Sequence, residues 1–157
     1  MTLAEQLLVL GMLGGLGCFG LAAGQEQLQR QRVEAVAGEL LAGIQLARAE
    51  AERRQQACGL SLDALGWQDP RDGSLAACAT ALKGFSEAVD LHHSLPATLR
   101  FSANGLVIDG GLVVLSRSGT ALRRCLVMAL PLGIVRLGRY GANPAGALAA
   151  THCQPKK

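Results

Sequence analysis

The sequence predicts an α+β protein in which one long N-terminal α-helix packs on a C-terminal antiparallel β-sheet. Three observations carry this. The stretch from Gln6 to Gln25 holds no charged side chain, the stretch after it turns amphipathic at helical spacing, and the last third breaks into short apolar runs separated by turn residues. At 157 residues, half of them apolar, the chain suits one modest domain plus one long element.

The first element covers residues 1–25. Leu, Val, Gly and Met dominate it, and its 20 uncharged positions are enough to cross a bilayer as a helix at ~1.5 Å per residue. No Lys or Arg precedes the run, which argues against a secretory signal peptide. The sole early charge is Glu5, and an acid at the start of a spanning helix is costly unless something pairs with it. Six glycines between Gly11 and Gly24 weaken a helix in water. A bilayer holds such a helix intact, so a loosened or extended segment within residues 11–24 is expected once the chain leaves lipid.

Residues 26–56 read as a continuation of the same helix. Val33, Val36, Ala37, Leu40, Leu41, Ile44, Ala47 and Ala51 recur on one face, and no Pro interrupts them. Glu26 with Arg30, Arg30 with Glu34, Arg48 with Glu52 and Glu50 with Arg54 are four-apart pairs on the polar side. The helix is expected to end near Gln56.

Residues 57–157 form the head. From Cys58 to Pro96 turn markers (Asp69-Pro70, Asp72-Gly73, Lys83-Gly84) outnumber periodic signals, which reads as a looped connection, with Trp67 as a core or loop anchor. Strands are expected over Thr98 to Ser102, Leu106 to Ile108, Leu112 to Ser116, Leu122 to Leu130 and Ile134 to Arg139. Asn104-Gly105, Gly110-Gly111, Ser118-Gly119 and Pro131 to Gly133 punctuate them. Such a meander needs one face covered, and the stripe from Val33 to Ala51 is the available cover.

Cys18 sits in the apolar run as a small hydrophobe, while Cys58, Cys78, Cys125 and Cys153 form an even set outside it, consistent with an oxidising compartment. Three connectivities are open to four cysteines. Loop length favours Cys58 with Cys78 and Cys125 with Cys153, each worth ~3 kcal/mol on the loop-entropy model. Metal and cofactor sites are not expected: no Cys-x-x-Cys pair is present, and His92, His93 and His152 lack paired ligand spacing. Scattered acids and the lack of any recognisable Ser-His or Cys-His arrangement or phosphate loop argue against an enzyme.

The opening MTLAEQLLVLGMLGGLG resembles the mature start of type IV pilins and type II secretion pseudopilins, with Thr2, Leu3 and Glu5 in place, Met1 where the family usually has Phe and Ala4 where it often has Ile. Later segments look closest to the minor-pilin and pseudopilin H group. Ala47, Arg48 and Ala51 fit its Ala-Arg-x-x-Ala pattern, Gly66-Trp67 its Gly-Trp pair, and Phe101 with Gly105 its Phe-x-x-x-Gly hairpin. The resemblance implies a pilin fold, and a leader removed by a prepilin peptidase so that Met1 is mature position one and carries the N-terminal methylation. It also implies that Glu5 pairs with the N-terminal amine of a neighbouring subunit, supplying the partner an acid in a low-dielectric core needs.

The expected function is therefore a structural subunit of a type IV pilus-like filament. The alternatives are a type II secretion pseudopilin or a minor pilin that binds DNA for uptake. Expected partners are other pilin subunits in a helical filament and, before assembly, the bacterial inner membrane. The finished filament would be an extracellular pilus or a periplasmic pseudopilus. DNA enters through charge: from Leu91 onward Arg100, Arg117, Arg123, Arg124, Arg136, Arg139, Lys156 and Lys157 face Asp109 alone. Some minor pilins bind DNA through a Gly-Arg-x-Arg motif, which Gly133 and Arg136 match while Ile134 departs from it. Arg123, Arg124, Arg136 and Arg139 are the candidate phosphate contacts, provided the strands place them on one face.

Overall fold

A computed structural model describes residues 3–71, 73, 75–78, 84–130 and 134–155, with backbone alone for residues 3–23. Helix α1 runs unbroken from Leu3 to Arg54, 52 residues and roughly 78 Å at 1.5 Å per residue. It stops two residues short of Gln56 because Gln55 turns left-handed, with φ 52°. The Gln56 N–H then reaches the Ala51 carbonyl and the Gln55 N–H the Glu52 carbonyl, each at 3.2 Å, which is the Schellman closure that satisfies the last carbonyls. Of the four-apart pairs, Glu26 with Arg30 (2.7 Å) and Glu50 with Arg54 (2.5 Å) form on the helix. Arg30 and Glu34 do not pair: Glu34 instead bonds Arg124 in the sheet, a partner that spacing along the helix cannot reveal.

Residues 57–96 are not simply the looped connection the sequence predicts. Strand β1 (Cys58–Asp63) is the hub of a small sheet. It pairs antiparallel with β2 (Gly66–Gln68), parallel with β3 (Ala76–Ala77), and antiparallel with β5 (Leu99–Phe101). Its first five residues are all buried, so the alternation that marks a half-exposed strand is missing. The second sheet is the antiparallel meander. β4 (Asp90–His93), β6 (Gly111–Ser116), β7 (Arg124–Ala129), β8 (Ile134–Tyr140) and β9 (Cys153–Pro155) lie side by side in chain order. The expected strand at Leu106 to Ile108 reduces to one bridge, Val107 to Phe101.

Seven side chains of the predicted stripe, Val33, Val36, Ala37, Leu40, Ile44, Ala47 and Ala51, are fully buried, and Leu41 is half-buried at its edge. Against them pack Leu60, Leu62, Trp67, Leu99 and Phe101 from the first sheet and Val113, Leu115, Leu126 and Met128 from the second. The other face of the meander carries a smaller core of Leu112, Val114, Cys125 and Tyr140, which Leu148 and Cys153 of the returning C-terminal segment cover. Among the described residues, no apolar side chain of α1 before Val33 is buried, so Gly24 to Arg32 add nothing to the apolar core of the head.

Trp67 sets how closely the helix approaches. Its indole Nε1 donates to the Leu40 carbonyl at 3.2 Å, and a Cβ placed on Gly43 would sit only 2.1 Å from that nitrogen. Gly43→Ala should therefore destabilise the head by up to about 2 kcal/mol, because overpacking outweighs the gain in helix propensity. Exposed Gly38, with nothing within 4 Å of an added Cβ, provides the opposite expectation. Gly38→Ala should stabilise by up to about 1 kcal/mol. Urea unfolding of both variants checks the contrast, and two stabilising substitutions would show that no indole lies against the helix backbone.

Asp109 accepts three bonds from Arg100, at 2.7 to 3.0 Å, from the guanidinium and the backbone N–H. The side-chain hydrogen bond holds its carboxyl below the usual carboxylate range. A depressed folded-state pKa gives stability that is complete above the unfolded value and lost as pH falls through the folded one. Unfolding midpoints measured down the acid range should thus fall less steeply in Asp109→Asn than in the parent, and identical slopes would discard this contribution.

Candidate functional site

The segments with recognisable patterns converge on α1. Gly66 adopts φ 124° and approaches Gly84 so closely that an added Cβ would lie 2.8 Å from its Cα. This contact delivers the next residue, Trp67, to the helix at Leu40 and Gly43. About two turns beyond Leu40, Arg48 Nε donates to the Gly105 carbonyl at 2.9 Å. Gly105, left-handed at φ 69°, lies against Glu52, whose Oε1 an added Cβ would meet at 2.2 Å. The Ala-Arg-x-x-Ala segment and the Phe-x-x-x-Gly hairpin are thus two halves of one clasp, which locks the hairpin to the last turns of the helix.

A second tie lies lower on the helix, where Arg124 of β7, only 6 % exposed, bonds Glu34 across 90 residues of sequence. Arg124 Nε and, on α1, Gln29 Oε1 are buried without a hydrogen-bond partner among the described residues. Removing Glu34 would leave the buried Arg124 charge uncompensated, whereas Glu34 itself is partly exposed, so the tie matters more for where the helix sits than for net stability.

Among the assembly residues named from sequence, Met1 lies outside the described residues, and Glu5 lies on α1 with its side chain outside them. The uncharged run falls almost wholly in that same segment. Among the described residues no helix is long and apolar enough to cross a membrane.

The four arginines proposed for DNA are not gathered on one face. Arg124 is consumed by Glu34, and Arg123 Nη1 donates to the Ala142 carbonyl at 2.7 Å. Arg136 and Arg139 are exposed but stand three apart on β8, so strand alternation sends them to opposite sides of the sheet. Charge clustering in sequence failed here because it ignores the period of two.

Both disulfides are formed, Cys58 with Cys78 and Cys125 with Cys153. The second passes beside Gly138, where an added Cβ would sit 3.0 Å from Cys153 Sγ and 2.2 Å from the Gln154 carbonyl oxygen. Among the described residues no group of His, Cys, Asp or Glu could hold a metal ion.

Sequence reasoning missed Gly43, the Glu34–Arg124 pair and the role of Glu52. Gly43 was legible in principle: a glycine flanked by the stripe residues Leu40 and Ile44 marks a place where another backbone or a ring must come close. The ion pair left no sequence signal.

A model of the family described as type II transport protein GspH matches residues 36–131. The match begins within the buried stripe, takes in the Trp67 contact, the clasp and the Glu52 turn, and ends just past β7. No curated protein and no solved structure matches the chain. The family is one of type II secretion, so it supports the pseudopilin alternative better than the type IV pilus reading. Since the matched residues make up more than half of the chain and include the Trp67 contact and the clasp that tie helix to head, the protein belongs to the GspH family of type II secretion pseudopilins, structural rather than enzymatic members of the pilin superfamily.

Proposed function

We propose that the chain is a subunit of a periplasmic pseudopilus, anchored in the inner membrane before assembly and joined to other pseudopilins through the first half of α1. The observation that carries this reading is the uneven cover of the helix: among the described residues the head buries its apolar side chains from Val33 onward and leaves Leu28 exposed, and the uncharged run from Gln6 to Gln25 lies further toward the N-terminus. Residues 1–25 serve as the membrane and filament-core segment, residues 26–56 as the stem inside the head, and residues 57–157 as the head. Glu5 pairs with the amine of an adjacent subunit, and Met1 bears the methylation. Repetition of one heterologous contact then builds a helical filament. The glycines from Gly11 to Gly24 allow the segment to loosen when lipid no longer enforces its backbone bonds.

Glu5→Ala separates assembly from folding. The variant should keep a normally folded head and normal membrane insertion yet be depleted from isolated pseudopili, because the amine of its neighbour loses its counter-charge. Incorporation at the parent's level would reject the pairing. The oxidising compartment is tested on protein isolated from cells: non-reducing peptide mapping should recover Cys58 joined to Cys78 and Cys125 joined to Cys153, with Cys18 unpaired. Four free thiols outside α1 would place the head elsewhere.

A further inference from the structure

The fold gathers arginines where α1 enters the head. Arg30 and Arg32 stand on the helix, Arg117 follows β6, Arg123 precedes β7 and Arg124 begins it, and Arg139 lies beside Arg124 near the end of β8. Their common level is fixed by contacts with the same stretch of helix. Glu34 bonds Arg124, Glu87 approaches both Arg32 (3.4 Å) and Arg117 (3.7 Å), and Gly119 packs against Gln29. Four carboxylates share the rim: Glu26 pairs with Arg30, Glu87 with Arg32 and Arg117, Glu34 with the buried Arg124, and Asp90 lies opposite Ser116, so Arg123 and Arg139 are the rim cations with no carboxylate among the described residues. Arg139 is exposed and holds no ion pair among the described residues. Leu28, between the uncharged run and these cations, is 53 % exposed.

We infer that, before assembly, this rim of the head rests on the membrane surface and binds the phosphates of anionic phospholipids, with Leu28 seated at the boundary between headgroups and acyl chains. The inference rests on the membrane-anchored reading above. Arg30 stands five residues beyond Gln25, roughly 8 Å along the helix axis. That matches the depth of a headgroup layer, about 5 to 8 Å on each side of the hydrocarbon. A basic rim with an exposed leucine two residues before Arg30 is the chemistry that favours an anionic interface. Arg139, opposite Arg124 and so level with Glu34, stands higher, nine residues or about 14 Å beyond Gln25, and meets the phosphates through the reach of its long side chain.

Two preparations test this apart from the anchoring itself. Full-length protein is reconstituted into nanodiscs of phosphatidylcholine alone and of phosphatidylcholine with phosphatidylglycerol, and insertion is scored. Failure to insert in either would reject anchoring. Separately, the head from Gly24 onward is partitioned onto vesicles of the same two compositions. It should bind the phosphatidylglycerol vesicles, release as salt rises, and bind about fivefold more weakly for each of Arg30→Gln and Arg139→Gln. Arg136→Gln, three residues back on β8 and on the other sheet face, should leave binding nearly unchanged. Equal partitioning onto both vesicles, or equal losses from Arg136→Gln and Arg139→Gln, would overturn the inference. Head self-association that depends on Arg139 without any preference for anionic vesicles would overturn it too, assigning the rim to contacts between subunits.

Discussion

The buried stripe from Val33 to Ala51 is shared by every layer of the head. β1, β2 and β5 reach it from one sheet, and β6 and β7 from the other. Neither sheet closes a core with the other alone: one is a small hub around β1, and the other is a meander whose inner face would lie open to water. The helix is their common surface, and hydrophobic cover is what brings the two sheets into one domain. Polar ties then fix where along the helix each sheet sits, Arg124 on Glu34 at the lower end, Trp67 on Leu40 at the middle, and Arg48 on Gly105 at the upper end.

What the sequence made legible follows from which signals are periodic. The stripe repeats at three and four residues, and all but Leu41 of its eight members are fully buried. The later strands are short apolar runs with turn residues between them, so β6, β7 and β8 were readable within two residues, whereas β4 and β9, short and polar, carried no such signal. β1 was not, because a strand covered on both faces shows neither alternation nor helical period, and Cys58–Asp63 mixes Gly and Ser into its buried positions. Gly105 was recognised only as a hairpin glycine, although its contact with Glu52 is what excludes a side chain there.

Charge was the least legible property. A tally along the chain marks the last third as basic, yet folding separates its arginines by function. Arg100 holds Asp109, Arg124 is buried on Glu34, and Arg123 caps a carbonyl. Strand period and ion-pair partners, neither of which composition records, decide how much of that charge reaches a single surface.

The indole seated at Gly43 also bears on how load passes through the molecule. A filament subunit is pulled along its helix axis, and a smooth apolar stripe resists such shear poorly, since hydrophobic contacts have no preferred direction. The glycine, between the buried stripe residues Leu40 and Ile44, leaves a notch one residue wide, and the ring fills it. Sliding the helix by even one residue, about 1.5 Å, would drive one of those residues toward the ring. Trp67 is therefore a mechanical key as well as a core residue: it makes helix and head move as one body when axial force is applied.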